Sequence, residues 1–193
     1  MRAAIGCRDH SGWAVMVVVG GDPAAPSVLT RERVVLVDEN VRMPYHLAAE
    51  RSLADGRALI RRVERAACKG ASRALHDIVD DVRRRGHDIE GVAVAAGTSA
   101  VPDDLARVLA SHALMHAAEG ELYREALTTA ATSLALATTR FPTKHAISDA
   151  AAALGVGTDA LDGRLKALGK PLGPPWQKDH REAAAAALLV LVG

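Results

Sequence analysis

Apolar residues come in short runs over the first part of the chain and at intervals of three and four after it. Residues 2–7 (RAAIGC) form a short apolar run, RDHS reads as a turn, and GWAVMVVVGG restarts as a valine-rich run closed by Gly20-Gly21. Two such runs across so short a break predict a β-hairpin. The loop GDPAAPS carries two prolines, which cannot donate to a strand ladder. A third strand is predicted over residues 27–38, with Val34, Val35, Leu36 and Val37 as its apolar end and the segment from Arg31 to Arg33 nearer solvent.

From residue 44 to residue 86 the period changes. Leu59, Val63, Ala67, Ala71, Leu75, Ile78 and Val82 recur at helical spacing and make one buried stripe, which Gly56 and Gly70 are placed to interrupt. The segment ends in RRRGHD, basic residues followed by Gly86, a C-terminal stop. Residues 89–96 (IEGVAVAA) are nearly all apolar and predict an interior strand. Pro102-Asp103-Asp104 then opens a helix, with acids near its positive end. Helical pattern continues through ASHALMHAAEGELYREALTTAATSL, where Gly120 marks a potential break. A last short strand is expected over 134–141, and two short helices over 143–168, split at Gly155-Val156-Gly157. A stiff Pro-rich connector (171–175) precedes a final, almost wholly apolar helix over 177–192.

Three strands, a long helix, a strand, helices, a strand and helices predict an α/β domain, a mixed five-stranded sheet with helices on both faces. The 193 residues suffice for one such domain over the whole chain. The runs at 17–19 and 183–192 are shorter than the ~20 residues that span a bilayer. Cys7 and Cys68 show neither a CxxC pair nor zinc-cluster spacing, which points to free thiols in a reducing cytoplasm. The net charge of +1 gives no overall basic signature for nucleic-acid binding, so any such surface must be local. With 3% aromatic residues, the composition argues against an extended base-stacking platform.

Three segments carry a resemblance. IGCRDHSGWAVMVV looks like the opening strand and turn of the RuvC-type Holliday-junction resolvases, within the ribonuclease H-like superfamily. LASHALMHAAEGELYREAL is similar to the helix after their fourth strand, and GPPWQKDHREAAAAALLVL resembles their Pro-rich loop, acids three apart and alanine-rich helix. The resemblance implies a ribonuclease H-like three-layer fold, a homodimer, branched or structured nucleic acid as partner, and four carboxylates holding two Mg2+ or Mn2+ ions for phosphodiester hydrolysis. Hard divalent ions prefer such oxygen ligands. Arg8 stands at the first carboxylate position, with Asp9 beside it, and neighbours on a strand face opposite ways. The strand VAVAAG has no acid near its end, at the second position. Asp179 and Glu182 match the final pair. The fold therefore comes with two function readings. One is a metal-dependent endonuclease with Asp9, Glu119, Asp179 and Glu182 as acids, metal held by Asp9, Asp179 and Glu182. The other is an inactive relative that binds nucleic acid or protein, with Arg8 filling the lost metal position.

Other features have plainer readings beside the functional one. Asp179 and Glu182 also suit a first helical turn for dipole reasons, and Asp9 suits a turn. His112, His116 and Glu119 share one helical face, giving a metal site, an acid–base set or an ordinary surface. Glu119 is placed to replace the missing strand acid if it faces the sheet edge. Arg61, Arg65 and Lys69, with Arg57, Arg62 and Arg73 nearby, form a stripe for phosphate contact or a solvated face paired with Glu50, Asp55 and Glu64. Gly97-Thr98-Ser99 after a strand raises a third reading, a nucleotide loop, without the lysine and spacing of a Walker motif.

Overall fold

The computed structural model describes residues 1–97 and 99–193. Thr98 lies outside the described residues, and with it the centre of the Gly97-Thr98-Ser99 nucleotide-loop reading. Five strands, β1 (Arg2–His10), β2 (Trp13–Gly20), β3 (Ser27–Val35), β4 (Asp88–Ala95) and β5 (Ala137–Phe141), form one sheet in the order β3-β2-β1-β4-β5. The first three pair antiparallel as a meander, and β4 and β5 add parallel to β1 and to each other. Between Ala3↔Ile89 and Ile5↔Val92 the β4 ladder carries one extra residue. This bulge lies beside Gly91 and beside Glu90, whose carboxylate accepts from the Arg2 guanidinium.

Alternation along the strands builds two cores. Ala3, Ile5 and Cys7 of β1 and Ala14, Met16 and Val18 of β2 face one way. They pack under α1 (Pro44–Ala49), α2 (Leu53–Arg84), α3 (Leu105–Leu109) and α4 (His112–Ser133). Ala4 and Val15, Val17 and Val19 face the other way, under α5 (Ala146–Ala153), α6 (Thr158–Gly169) and α7 (Lys178–Val192). This mixed sheet with helices on both faces is the ribonuclease H-like three-layer arrangement.

Several boundaries differ from the pattern reading for local reasons. The third strand stops at Val35, because the Leu36 and Val37 amides both turn to the Gly12 carbonyl. The helical stretch from residue 44 breaks at residues 50–52, where the Ser52 hydroxyl caps α2 by accepting from the Asp55 amide. Gly56 and Gly70 do not interrupt α2. At Gly70 a Cβ would lie 2.3 Å from the Leu36 carbonyl oxygen, so the glycine lets the helix rest against the loop after β3. Ser111 caps α4 and separates it from α3, while Gly120 passes inside α4 without a break. The last strand starts at Ala137, later than the apolar pattern.

On the opposite face, α7 presents Ala183, Ala184, Ala185, Ala186 and Ala187, all fully buried. Small side chains bring its backbone close to the sheet. A Cβ at Gly6 of β1 would lie 1.8 Å from the Ala183 carbonyl oxygen. The Pro-rich connector ahead of α7 is held by Arg31 of β3, which donates to the carbonyls of Gly173 and Leu172, each at 2.8 Å. No described helix is long and apolar enough to cross a membrane.

Candidate functional site

Two polar clusters stand out, one at the end of β1 and one on the helical layer that holds α1 and α4.

At the end of β1, the pleat separates neighbours. Asp9 follows Cys7 towards α4, where Arg124 Nη1 donates to its Oδ2 at 3.1 Å. Arg8 follows Gly6 towards α7, where its Nε donates to Glu182 Oε2 at 3.2 Å. The Arg8 guanidinium also lies 3.7 Å from Asp9 Oδ1 and donates to the Asp9 carbonyl at 2.9 Å. It therefore sits between the two carboxylates. Both are nearly buried, each 5% exposed. Lys178 Nζ adds a contact to Glu182 at 3.5 Å. Asp179 is bound elsewhere, to His10 Nε2 at 2.9 Å. His10 in turn stacks on Trp13 with ring centroids 3.9 Å apart, and Arg33 lies 4.1 Å from the Trp13 ring centroid.

A polar cleft of about 170 Å³ opens here, lined by Arg8, Asp9, Ala95, Ala96, Arg124 and Thr143. The end of β4 contributes only alanines to it. Around the rim, Arg124 binds Glu121 at 2.9 Å, and Arg140 binds Glu121 at 3.2 Å and Glu125 at 3.1 Å. Charge is thus largely balanced within the protein. Burial, and then the Asp9 charge, push the neighbouring Cys7 thiol up to about 12.

This donor set does not fit a pair of Mg2+ or Mn2+ ions. Asp9 Oδ1 has no hydrogen-bond partner among the described residues, but the group facing it is a guanidinium. A divalent ion 4 Å from a guanidinium would be repelled by roughly 8 kcal/mol at an effective dielectric of about 20. Of the sequence candidates, Asp9 and Glu182 come together only through Arg8.

The second cluster joins α1 to α4. His112 opens α4 and His116 follows one turn later, on the face expected from their spacing. His46 of α1 meets them, with ring centroids 5.1 Å from His112 and 4.6 Å from His116. Glu119, 1% exposed, accepts from His46 through Oε1, at 2.9 Å from Nδ1 and 3.3 Å from the backbone amide. Its Oε2 lies 3.7 Å from His116 Nδ1. Glu119 is thus committed to α1, and its bonds do not reach the strand-end cleft where a replacement acid was expected. Each of His46, His112 and His116 offers a ring nitrogen within 4.8 Å of the others, a set able to hold a divalent metal ion. Glu119 also makes its surroundings more negative. Burial, then this charge, raises the Tyr123 hydroxyl, which donates to the Arg42 carbonyl at 2.7 Å.

Arg61, Arg65 and Lys69 lie exposed along α2, as do Arg57, Arg62 and Arg73. Among the described residues none of the six has an ion-pair partner. Asp55, an expected partner, accepts instead from the Ser52 hydroxyl at 2.6 Å. Arg57 and Arg61 border a cavity of about 180 Å³ with Tyr45, Glu64, Pro102 and Val108.

Sequence reasoning missed His46, Arg124 and His10. His46 carries no local signal in PYHLAAE, because its partners lie on a helix far along the chain. Arg124 follows Glu121 by three residues and reads as a surface pair until the fold turns it onto Asp9.

No family model matches the chain, and no curated protein does. Solved structures do. The chain is similar to Thermus thermophilus RuvC in complex with a Holliday junction substrate, with a TM-score of 0.55 at 14% identity, over 97% of this chain and 91% of that one. A second Thermus thermophilus RuvC structure gives a TM-score of 0.54 at 14% identity, over 96% and 90%. At this identity the likeness is one of fold.

Proposed function

We propose that this chain is a RuvC-like nucleic-acid-binding protein whose strand-end centre serves as a structural ion-pair hub. The observation that supports this reading most is the Arg8 guanidinium between Asp9 and Glu182. It supplies, as part of the chain, positive charge where the resemblance implies metal. The stripe of Arg61, Arg65 and Lys69 is the surface we assign to phosphate contact, since it carries cations with no ion-pair partner among the described residues. Branched DNA is the first partner to test, and a homodimer is the assembly the resemblance implies. The competing reading is Mg2+- or Mn2+-dependent phosphodiester hydrolysis by Asp9, Glu119, Asp179 and Glu182, with His112 and His116 as acid–base groups. It draws on the order of the acids along the chain.

One experiment decides between them. The chain is titrated against a labelled four-way DNA junction over a range of salt, with and without Mg2+ or Mn2+. The expected result is binding that weakens steeply with salt, and intact DNA. Replacing Arg61, Arg65 and Lys69 by alanine should then lower the salt slope by about 0.9 per lost phosphate contact. Cleavage that disappears in Asp179→Asn or Glu182→Gln would establish the nuclease reading instead. Absence of binding at low salt would remove nucleic acid as the partner.

A further inference from the structure

The histidine cluster lies apart from the ion-pair hub, and nucleic-acid binding leaves it unexplained. We infer that His46, His112 and His116 form a site for a borderline transition-metal ion of the zinc class, with Glu119 as the carboxylate that orients His46.

Glu119 is a carboxylate and can only accept, so the proton of the His46–Glu119 bond sits on Nδ1. A neutral imidazole then has its lone pair on Nε2. That nitrogen is buried and has no hydrogen-bond partner among the described residues. A protonated Nε2 would be a buried donor with nothing to donate to, which costs about 1–3 kcal/mol. A metal ion is the partner that suits a fixed, unpartnered imidazole lone pair. Histidine ligands to metals are commonly oriented in this way, by a carboxylate on the other ring nitrogen.

The three ring nitrogens lie within 4.8 Å of one another. A tetrahedral zinc ion with bonds of about 2.0–2.1 Å holds its ligand nitrogens about 3.4 Å apart. His112 and His116 are both exposed, which leaves their side chains room to rotate towards His46. His46 and Glu119 already hold the rigid half of the site.

Three imidazoles suit zinc, nickel, copper or iron, whereas Mg2+ and Mn2+ favour oxygen ligands. The ion expected at this site is therefore of a different class from the one the family resemblance implies at the strand ends. With three protein ligands and an exposed rim, the fourth position is left to water or an exchangeable ligand.

The test uses the full chain without an affinity tag of histidines, stripped with chelator and titrated with Zn2+ by calorimetry and with Co2+ by visible absorption. One ion per chain is expected, with a tetrahedral cobalt spectrum, and millimolar Mg2+ should not compete. Replacing His112 and His116 together by alanine should weaken zinc at least 100-fold while circular dichroism stays native, since both side chains are exposed. Glu119→Gln should weaken it about 10–100-fold. Substoichiometric uptake, or uptake unchanged in the double-alanine variant, would overturn the site. Unchanged affinity in a folded Glu119→Gln variant would overturn the role of Glu119. Neither result bears on nucleic-acid binding, which is read separately.

Discussion

Arg8 Nε donates to Glu182 Oε2 at 3.2 Å, tying the end of the central strand to the second turn of the last helix. The Glu182 side chain is 7% exposed and that of Arg8 26% exposed, so the bond sits at the edge of the protein's interior. Replacing Arg8 by methionine keeps much of the apolar stem and leaves a nearly buried carboxylate short of its main partner. We expect a loss of about 1–3 kcal/mol by urea unfolding. Replacing Glu182 by glutamine in the same background should cost less than in the wild type. Additive losses in that double-mutant cycle would show that the two side chains do not interact.

His180 gives a pH dependence with a definite sign. Burial, and then the charge of Arg31, lower it from its ordinary value, with Asp179 acting weakly the other way. Its Nδ1 accepts from the Gln177 amide at 3.3 Å, a bond that only the deprotonated nitrogen makes. In the unfolded chain this histidine takes up its proton near 6.5, and in the folded protein only at lower pH. Its contribution to stability is therefore full above about pH 6.5 and is lost as pH falls through the folded value. Thermal unfolding between pH 7.5 and 5 should show a declining Tm, and His180→Gln should flatten the decline. A wild-type slope retained in that variant would assign the effect to other groups.

The hub and the histidine cluster differ in how much of each could be read from the chain. The succession of strands and helices along the chain, the α2 stripe and the final helix follow from periodicity, which is a local property. The opposite facing of Arg8 and Asp9 follows too, because the strand period is two. What periodicity does not encode is which distant side chain comes to meet each one. Arg124 reaches Asp9 because α4 crosses the first core, and His46 reaches Glu119 because α1 packs beside α4. The HxxxH spacing at His112 and His116 was visible, but its third member required the fold.

The two thiols should separate cleanly. Cys7 is fully buried and its thiol is pushed up to about 12, whereas Cys68 is partly exposed and raised less strongly. An aromatic disulfide reagent at pH 8 should modify Cys68 slowly in the native protein and Cys7 only after denaturation. Two equivalents of rapid native reaction would contradict the burial of Cys7.

Gly6 allows no side chain. A methyl group there would collide with the Ala183 backbone, which a rotamer change cannot relieve. Gly6→Ala should cost about 3 kcal/mol or more, or prevent soluble expression, read as a shift in the urea midpoint. A near-neutral effect would mean that α7 can lift from the sheet.

That backbone contact also bears on how such a centre could change sign. Gly6 is two residues from Arg8 on the same strand face, and Ala183 is next to Glu182. The distance between strand end and helix is therefore set by atoms that no side-chain exchange alters. An acid or an arginine at position 8 would meet the same carboxylate at the same place. Exchanging the side chain at position 8 for one of opposite sign would thus change the charge that faces Glu182 while the scaffold around it stayed still.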